Sequence, residues 1–311
     1  MQAVVNTDDG IRTIDVDEPA GPGVRLSVVA AGICGTDVLF AGIGLKGFIY
    51  GHEFTGVDDT GRPYFVEPTI HGGECEECRN GHPQRCTEPS HGNLGIFSDG
   101  GMASTVVVPE YTLLALPPQL DVKDACLIEP GAVALHALRR AQVRPGERVL
   151  VVGGGTIGLL AAAAAQDQGL DVDVDTRHDH QRDAAEHLGF GKPGDGYDVV
   201  IDAAGSDTSI ARSAQAARRG GRIVPLGVYL DSIPVPGSAI SQVKELSYVS
   251  SVAYGRHDGV REVEEVAAML ATKPDIARTL ITHRFPIEDA REAFRVAADR
   301  RAGAIKVVIE P

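Results

Sequence analysis

The residues able to do chemistry fall into separated groups. Cys34 lies in Gly32-Ile33-Cys34-Gly35-Thr36-Asp37, His52 and Glu53 in Gly51-His52-Glu53, and Glu129 in Ile128-Glu129-Pro130. A catalytic zinc takes about three protein ligands from Cys, His and carboxylate and keeps a further position open. Cys34, His52 and one or both of Glu53 and Glu129 would meet that requirement. Each piece alone is bland, because a lone Cys is usually a small buried apolar residue. Their joint occurrence ahead of a nucleotide-binding pattern shifts the balance. A second group is compact: Cys75, Cys78 and Cys86, with Cys126 apart from it as a small buried residue. Five Cys is an odd number for a disulfide framework, and clustering of this kind points to metal instead.

The remaining group is Gly153-Gly154-Gly155-Thr156-Ile157-Gly158, a G-x-G-x-x-G pattern. It follows the apolar run Val149–Val152 and opens an alanine-rich segment, the context in which the pattern binds a dinucleotide. Gly153 makes the tight turn, Gly155 lets backbone approach a pyrophosphate, and Gly158 lets helix pack on strand. The phosphates then sit at a helix N-terminus, which favours anions. NAD sites place Asp or Glu at the end of the second strand. In the register that keeps Thr176 in step with Val172 and Val174, that position is Thr176, followed by Arg177 and His178, with Arg182 one turn on. Thr with Arg accepts a 2′-phosphate that an acid would repel, so the pattern favours NADP. A slide of one residue would put Asp175 there and restore NAD.

Distinct elements must position these groups. The first third mixes short β-prone runs with Gly and Pro, which predicts an irregular antiparallel β domain. Helical spacing begins near Asp121 and runs to Ala141. Strands at Arg148–Val152, Leu170–Asp175, Tyr197–Ala203 and Arg222–Gly227 then alternate with helices at Thr156–Gln168, His180–Leu188 and Ser209–Arg218. That alternation predicts a parallel sheet with helices on its faces. Gly189 to Tyr197 leaves hardly any room for a further strand and turn. Helices at Val260–Ala271 and Glu288–Arg300 precede a strand at Ala304–Ile309.

The 311 residues suggest two domains, and 43% hydrophobic with 23% charged residues is ordinary globular composition. A formal net charge of −14 excludes a global electrostatic grip on nucleic acid or an anionic membrane. Met1–Asp9 shows no basic or long apolar run, and the longest apolar stretch, Val149–Ala165, is short for a bilayer span and holds consecutive glycines. The reading is a cytoplasmic protein with no nucleic-acid or membrane partner.

Taken together, these stretches resemble the zinc-dependent medium-chain dehydrogenase/reductases, the alcohol and polyol dehydrogenase group. The resemblance runs essentially end to end, through Gly32–Asp37, Gly51–Glu53, Cys75–Cys86, Leu127–Arg140, Gly146–Gly158, Tyr197–Gly205, Gly220–Val228, Phe285–Ala290 and Ala302–Val307. It implies an α/β protein. A GroES-like β catalytic domain would span 1–130 and 254–311, and a Rossmann domain with a doubly wound parallel sheet would span 131–253, with the active site in the cleft between them. It implies an NAD(P)-dependent zinc enzyme that moves a hydride between NADP(H), preferred over NAD(H), and a secondary, polyol or sugar-like alcohol or its carbonyl counterpart. Relatives of this kind form dimers or tetramers. Two other readings compete. A zinc-independent NADPH reductase of the same fold would lack the metal set. A nucleotide-binding protein without catalysis would not need Thr36.

The resemblance also assigns roles. Cys34 and His52 match zinc ligands, and Glu53 either binds the zinc or exchanges with water. Glu129 resembles the glutamate of the polyol branch, where classical alcohol dehydrogenases carry a Cys one position later, here Pro130. Thr36 matches the hydroxyl residue that relays the substrate proton. Many relatives carry a His five residues after the ligand Cys, but here Leu39 stands there, so the relay must end at the ribose, at water or at another group. Ala204, Gly227, Val228 and Lys306 join the glycine-rich turn on the cofactor. The Cys75–Cys86 stretch resembles a structural-zinc lobe whose pattern has another Cys at the position of Gly72. His71 beside it would give an accepted Cys₃His set; His82 is a weaker substitute, and a water-completed site or an empty lobe are the alternatives. The loops Val38–Tyr50 and Ser90–Gly101 would set specificity.

Overall fold

The computed structural model describes the chain except for residues 89, 91, 230, 231, 233, 234, 236 and 237, so part of the Ser90–Gly101 loop lies outside the described residues. The chain folds into two compact units: Met1–Glu129 with Gly255–Pro311, and Pro130–Tyr254.

In the first unit the broken β-prone runs pair into one sheet. Its order is Leu113–Ala115, Pro63–Val66, Glu53–Val57, Val24–Gly32, Lys306–Glu310 and Ile281–Pro286, and Thr105–Val108 also pairs with Val24–Gly32. Ile281–Pro286 runs parallel to Lys306–Glu310, and the other pairs are antiparallel. Leu26, Val28, Phe54, Val66, Val106, Val307 and Ile309 turn from these strands into a core. The helix Ala290–Ala298 closes it with Ala290, Ala293, Phe294 and Val296, the i, i+3, i+4 spacing of a one-sided helix. Burial of each large side chain contributes roughly 1.5–3 kcal/mol, so this long-range packing, not local propensity, holds the sheet register.

The second unit is a parallel sheet in the order Asp171–Asp175, Arg148–Val152, Tyr197–Asp202, Ala217–Pro225 and Ser247–Tyr248. Helices Thr156–Asp167, Asp179–His187 and Asp207–Ala216 connect its strands, as the alternation predicts. Beyond Asp171–Asp175 the short stretch before Tyr197 makes one parallel bridge, Asp173 to Gly191, and no named strand.

Several element edges differ from expectation. The helix expected from Asp121 begins at Ile128, after a 3₁₀ turn at Ala125–Leu127. Pro130 then falls in its first turn, where a missing N–H costs nothing. The third connecting helix stops at Ala216, because Ala217 already pairs with Tyr197 in the sheet. Val260 pairs with His257 in a hairpin, so the next helix starts at Glu262. The helix Gly35–Gly42 is not evident in its glycine-bearing sequence. Among the described residues no helix is long and apolar enough to cross a membrane, and Val149–Ala165 is strand, turn and helix.

Candidate functional site

Sheet register gathers the scattered group within the first unit. Gly32 lies opposite Glu53. A Cβ added at Gly32 would stand 2.3 Å from Glu53 Oε2, so only glycine lets that carboxylate lie across the strand. Cys34 leaves the sheet as the N-cap of Gly35–Gly42, and its backbone N–H donates to Asp37 Oδ2 at 2.8 Å. Asp37 is thereby fixed in full burial, with its other oxygen 3.4 Å from His52 Nδ1. The result is that ligand atoms of Cys34, His52 and Glu53 lie within 4.8 Å of one another.

Asp37 is a functional residue that the sequence reading passed over. With Asp37 facing Nδ1, a bound cation that displaced the Nε2 proton of the imidazolium would leave the remaining proton on Nδ1, toward that carboxylate. Burial works against the imidazolium, yet Asp37 and Cys34 hold its pKa well above the ordinary imidazole value. Glu129, buried in the first turn of Ile128–Arg140, stands outside the 4.8 Å group but feels it. Burial pushes its carboxyl up to about 8, with His52 opposing and Glu53 reinforcing the rise. Lys306 is buried on Glu53, to whose Oε2 its ammonium donates, and it also donates to the Ile33 carbonyl at 3.1 Å. The structure therefore places Lys306 in this cluster, where the resemblance assigns it to the cofactor. Acidic groups concentrated out of water at this density call for a cation beyond Lys306 and His52. A thiol, an imidazole and a carboxylate converging suit zinc. Thr36 is half-buried in the first helical turn, and Leu39 follows one turn on.

In the second unit the glycine-rich turn joins Arg148–Val152 to Thr156–Asp167. A Cβ at Gly158 would lie 1.8 Å from the Gly153 carbonyl oxygen, so helix and strand pack closer than any side chain permits. Gly155 is the N-cap and offers no side chain to the first-turn N–H groups, which leaves that end suited to an anion. Thr176 lies next to this turn: its Cγ2 is 2.7 Å from where a Cβ on Gly154 would be. Asp175 points elsewhere, its Oδ2 accepting from Arg212 Nε at 2.9 Å. Thr176 and Arg182 line a cavity of about 290 Å³ with Asp175 and Lys192. Arg182 also donates to Asp179 at 2.8 Å, Arg177 is exposed, and the ring of His178 stacks on His180. Asp202 escapes sequence reading but organises the neighbouring loop. It accepts from Ala204 N at 3.1 Å, Ser209 Oγ at 3.0 Å and Tyr229 Oη at 2.6 Å. Ala204 and Val228 are exposed around it, and Gly227 is half-buried.

The Cys75–Cys86 stretch forms a separate cluster in the first unit. Its sulfurs lie within 4.8 Å of one another, Cys75 being 3.4 Å from Cys78 and 3.9 Å from Cys86. All are free thiols. His71 is not in this group; its ring packs on Tyr111 with centroids 4.9 Å apart. Cys126 is wholly buried against Ala30 and Val308, and burial pushes its thiol up to about 12.

Residues 21–118 match the family described as alcohol dehydrogenase GroES-like domain, and residues 172–309 match the zinc-binding dehydrogenase family. A 2-dehydro-3-deoxy-L-galactonate 5-dehydrogenase from Pseudoalteromonas atlantica is 30% identical over 325 residues, covering 94% of this chain and 92% of its own. A solved structure named as a short chain alcohol dehydrogenase from Escherichia coli CFT073, complexed with NADH, has a TM-score of 0.87 at 26% identity, covering 100% of this chain and 99% of that one. Another, described as a zinc-binding dehydrogenase from Sinorhizobium meliloti 1021 bound to NADP, has a TM-score of 0.84 at 28% identity, with 100% and 99% covered.

Proposed function

Since the chain belongs to the zinc-type medium-chain dehydrogenase/reductases, we propose that it is an NADP(H)-preferring, zinc-dependent dehydrogenase of polyol or sugar-like alcohols. The observation that carries this reading is the convergence of Cys34, His52 and Glu53 within 4.8 Å, backed by Asp37 and Lys306. Cys34 and His52 would hold the zinc, with Glu53 or Glu129 as the carboxylate donor. When bound, zinc supplies a Lewis acid for the substrate oxygen and the nicotinamide supplies or accepts the hydride. Asp37 keeps His52 in the tautomer that can ligate. Lys306 holds Glu53 back by its ammonium, so Glu53 serves as an exchangeable partner. The Thr36 hydroxyl takes the substrate proton and passes its own onward. Leu39 offers no proton acceptor one turn on, so the proton would leave through the cofactor ribose, water or another group. Glu129, half-way to neutral near pH 8 in the metal-free protein, ionises when it meets a cation.

The NADP preference rests on Thr176 beside Gly154 and on Asp175 being engaged by Arg212. Asp175 and Glu186 line the same cavity, but Arg212 engages the first and Lys192 the second, and Arg177 and Arg182 would supply the charge for a 2′-phosphate. The test is nicotinamide absorbance with a panel of polyols, aldonates and their ketones, using both cofactors, with and without chelator. Turnover that stops with chelator and prefers NADP(H) is expected. Activity indifferent to chelator would overturn the metal reading. The double variant Arg177→Ala/Arg182→Ala should lower kcat/KM for NADP(H) roughly tenfold or more, the worth of about one charge-assisted hydrogen bond, and leave NAD(H) unchanged.

A further inference from the structure

The lobe around Cys75 has a vacancy in its pattern at Gly72, and the fold fills it from elsewhere. We propose that Glu88 is the fourth ligand of a zinc held by Cys75, Cys78 and Cys86, standing in for the side chain that position 72 lacks. A Cβ built on Gly72 would fall 1.3 Å from Glu88 Oε2. The carboxylate therefore occupies the volume in which a ligand at position 72 would begin.

Its hydrogen bonds carry the same message. Glu88 Oε1 accepts from the backbone N–H of Glu74 at 2.9 Å and of Cys75 at 2.6 Å. Those amides lie two and three residues after Gly72. In the adjoining turn the Cys75 sulfur accepts from the amide of Cys78, three residues after it. The carboxylate thus receives the amides that the equivalent thiol receives one turn later. Glu88 is also tied to the cluster by its own N–H, 3.5 Å from Cys86 Sγ. His71 is placed differently: its ring packs on Tyr111 with centroids 4.9 Å apart, and its backbone N–H donates to Tyr111 Oη at 3.2 Å. Carboxylate oxygen is an ordinary zinc donor beside thiolates. Glu88 stands outside the 4.8 Å thiol group, so ligation draws its carboxylate inward by rotation of an unbranched side chain.

The experiment counts zinc in the full-length protein and measures its release to a chromophoric chelator. Wild type is expected to hold about two zinc ions per chain, one for each cluster. Cys34→Ala should keep the lobe ion. Glu88→Ala should weaken the lobe ion at least roughly a hundredfold, since even outer partners of a ligand are worth 10–100-fold. Gly72→Cys combined with Glu88→Ala should restore it, because removing the carboxylate opens the space that the thiol needs. This pair also guards against a variant that merely fails to fold. Cobalt(II) substitution gives a second readout: sulfur-to-cobalt charge transfer should rise in the double variant by one thiolate. His71→Ala should leave affinity and spectrum at wild-type values. The proposal is overturned if the wild-type lobe takes no zinc, if Glu88→Ala retains it with unchanged affinity, or if His71→Ala loses it instead.

Discussion

The Cys34 cluster and the Cys75 cluster offer similar donor atoms but are built by opposite means. Cys34, His52, Glu53 and Lys306 meet because strands far apart in the chain pair in one register. Cys75, Cys78 and Cys86 come from one short stretch of local turns, in which Arg79 N–H donates to the Cys75 carbonyl and Cys86 N–H to that of Pro83. His52, Glu53 and Glu129 are buried, whereas Cys75 and Cys78 are half-buried. In the first case the fold would exist before an ion and organise it. In the second a bound ion would be a large part of what organises the fold.

The sharpest break in this comparison is Cys34→Ala. Turnover should fall roughly a thousandfold or more, because the metal's polarisation of the substrate oxygen goes with it. The lobe zinc should remain. Wild-type kcat in that variant, read beside its zinc content, would refute the assignment. Lys306→Met comes next. It strands Glu53 in the interior, and removing one partner of a buried pair costs about 3–5 kcal/mol. Urea midpoints should drop most in the metal-free protein and less with zinc bound, since the ion then offsets the carboxylate. Equal drops in both forms would separate Glu53 from the metal. The smallest effect is chemical. In chelated protein the amides of Thr87 and Cys78 lower the Cys75 thiol to about 6, while burial pushes Cys78 up to about 12. Raising the pH from 5 to 7 should speed alkylation of Cys75 roughly tenfold, following its thiolate fraction, and then level off. Mass spectrometry should find Cys75 labelled first and Cys126 last.

Much of the nucleotide unit is legible in its sequence, because each strand, turn and helix is a local pattern. Val149–Val152, the glycines and the alanine-rich helix need no distant partner to be recognised. Its edges are less legible. Arg218 looks helical, but pairing of Ala217 with Tyr197 ends the helix earlier. The Cys34 group is readable as residue types and not as a place. Its assembly depends on Gly32 lying opposite Glu53, a register carried by no spacing within either segment. Asp37 behind His52 and Lys306 on Glu53 are hidden for the same reason. Glu88 is hidden more deeply still, since it enters by filling space at Gly72, a relation between a missing side chain and a distant one.

The strand Lys306–Glu310 lies inside its sheet, between Val24–Gly32 and Ile281–Pro286. During synthesis the segment Pro130–Tyr254 is therefore complete while the sheet encoded before it still lacks an interior strand. Domains generally fold in the order in which they emerge. Here the segment of the nucleotide unit is complete first, and Glu53 can meet its ammonium partner only after residue 306 has been added. The half of the molecule that carries the Cys34 cluster is begun first and finished last.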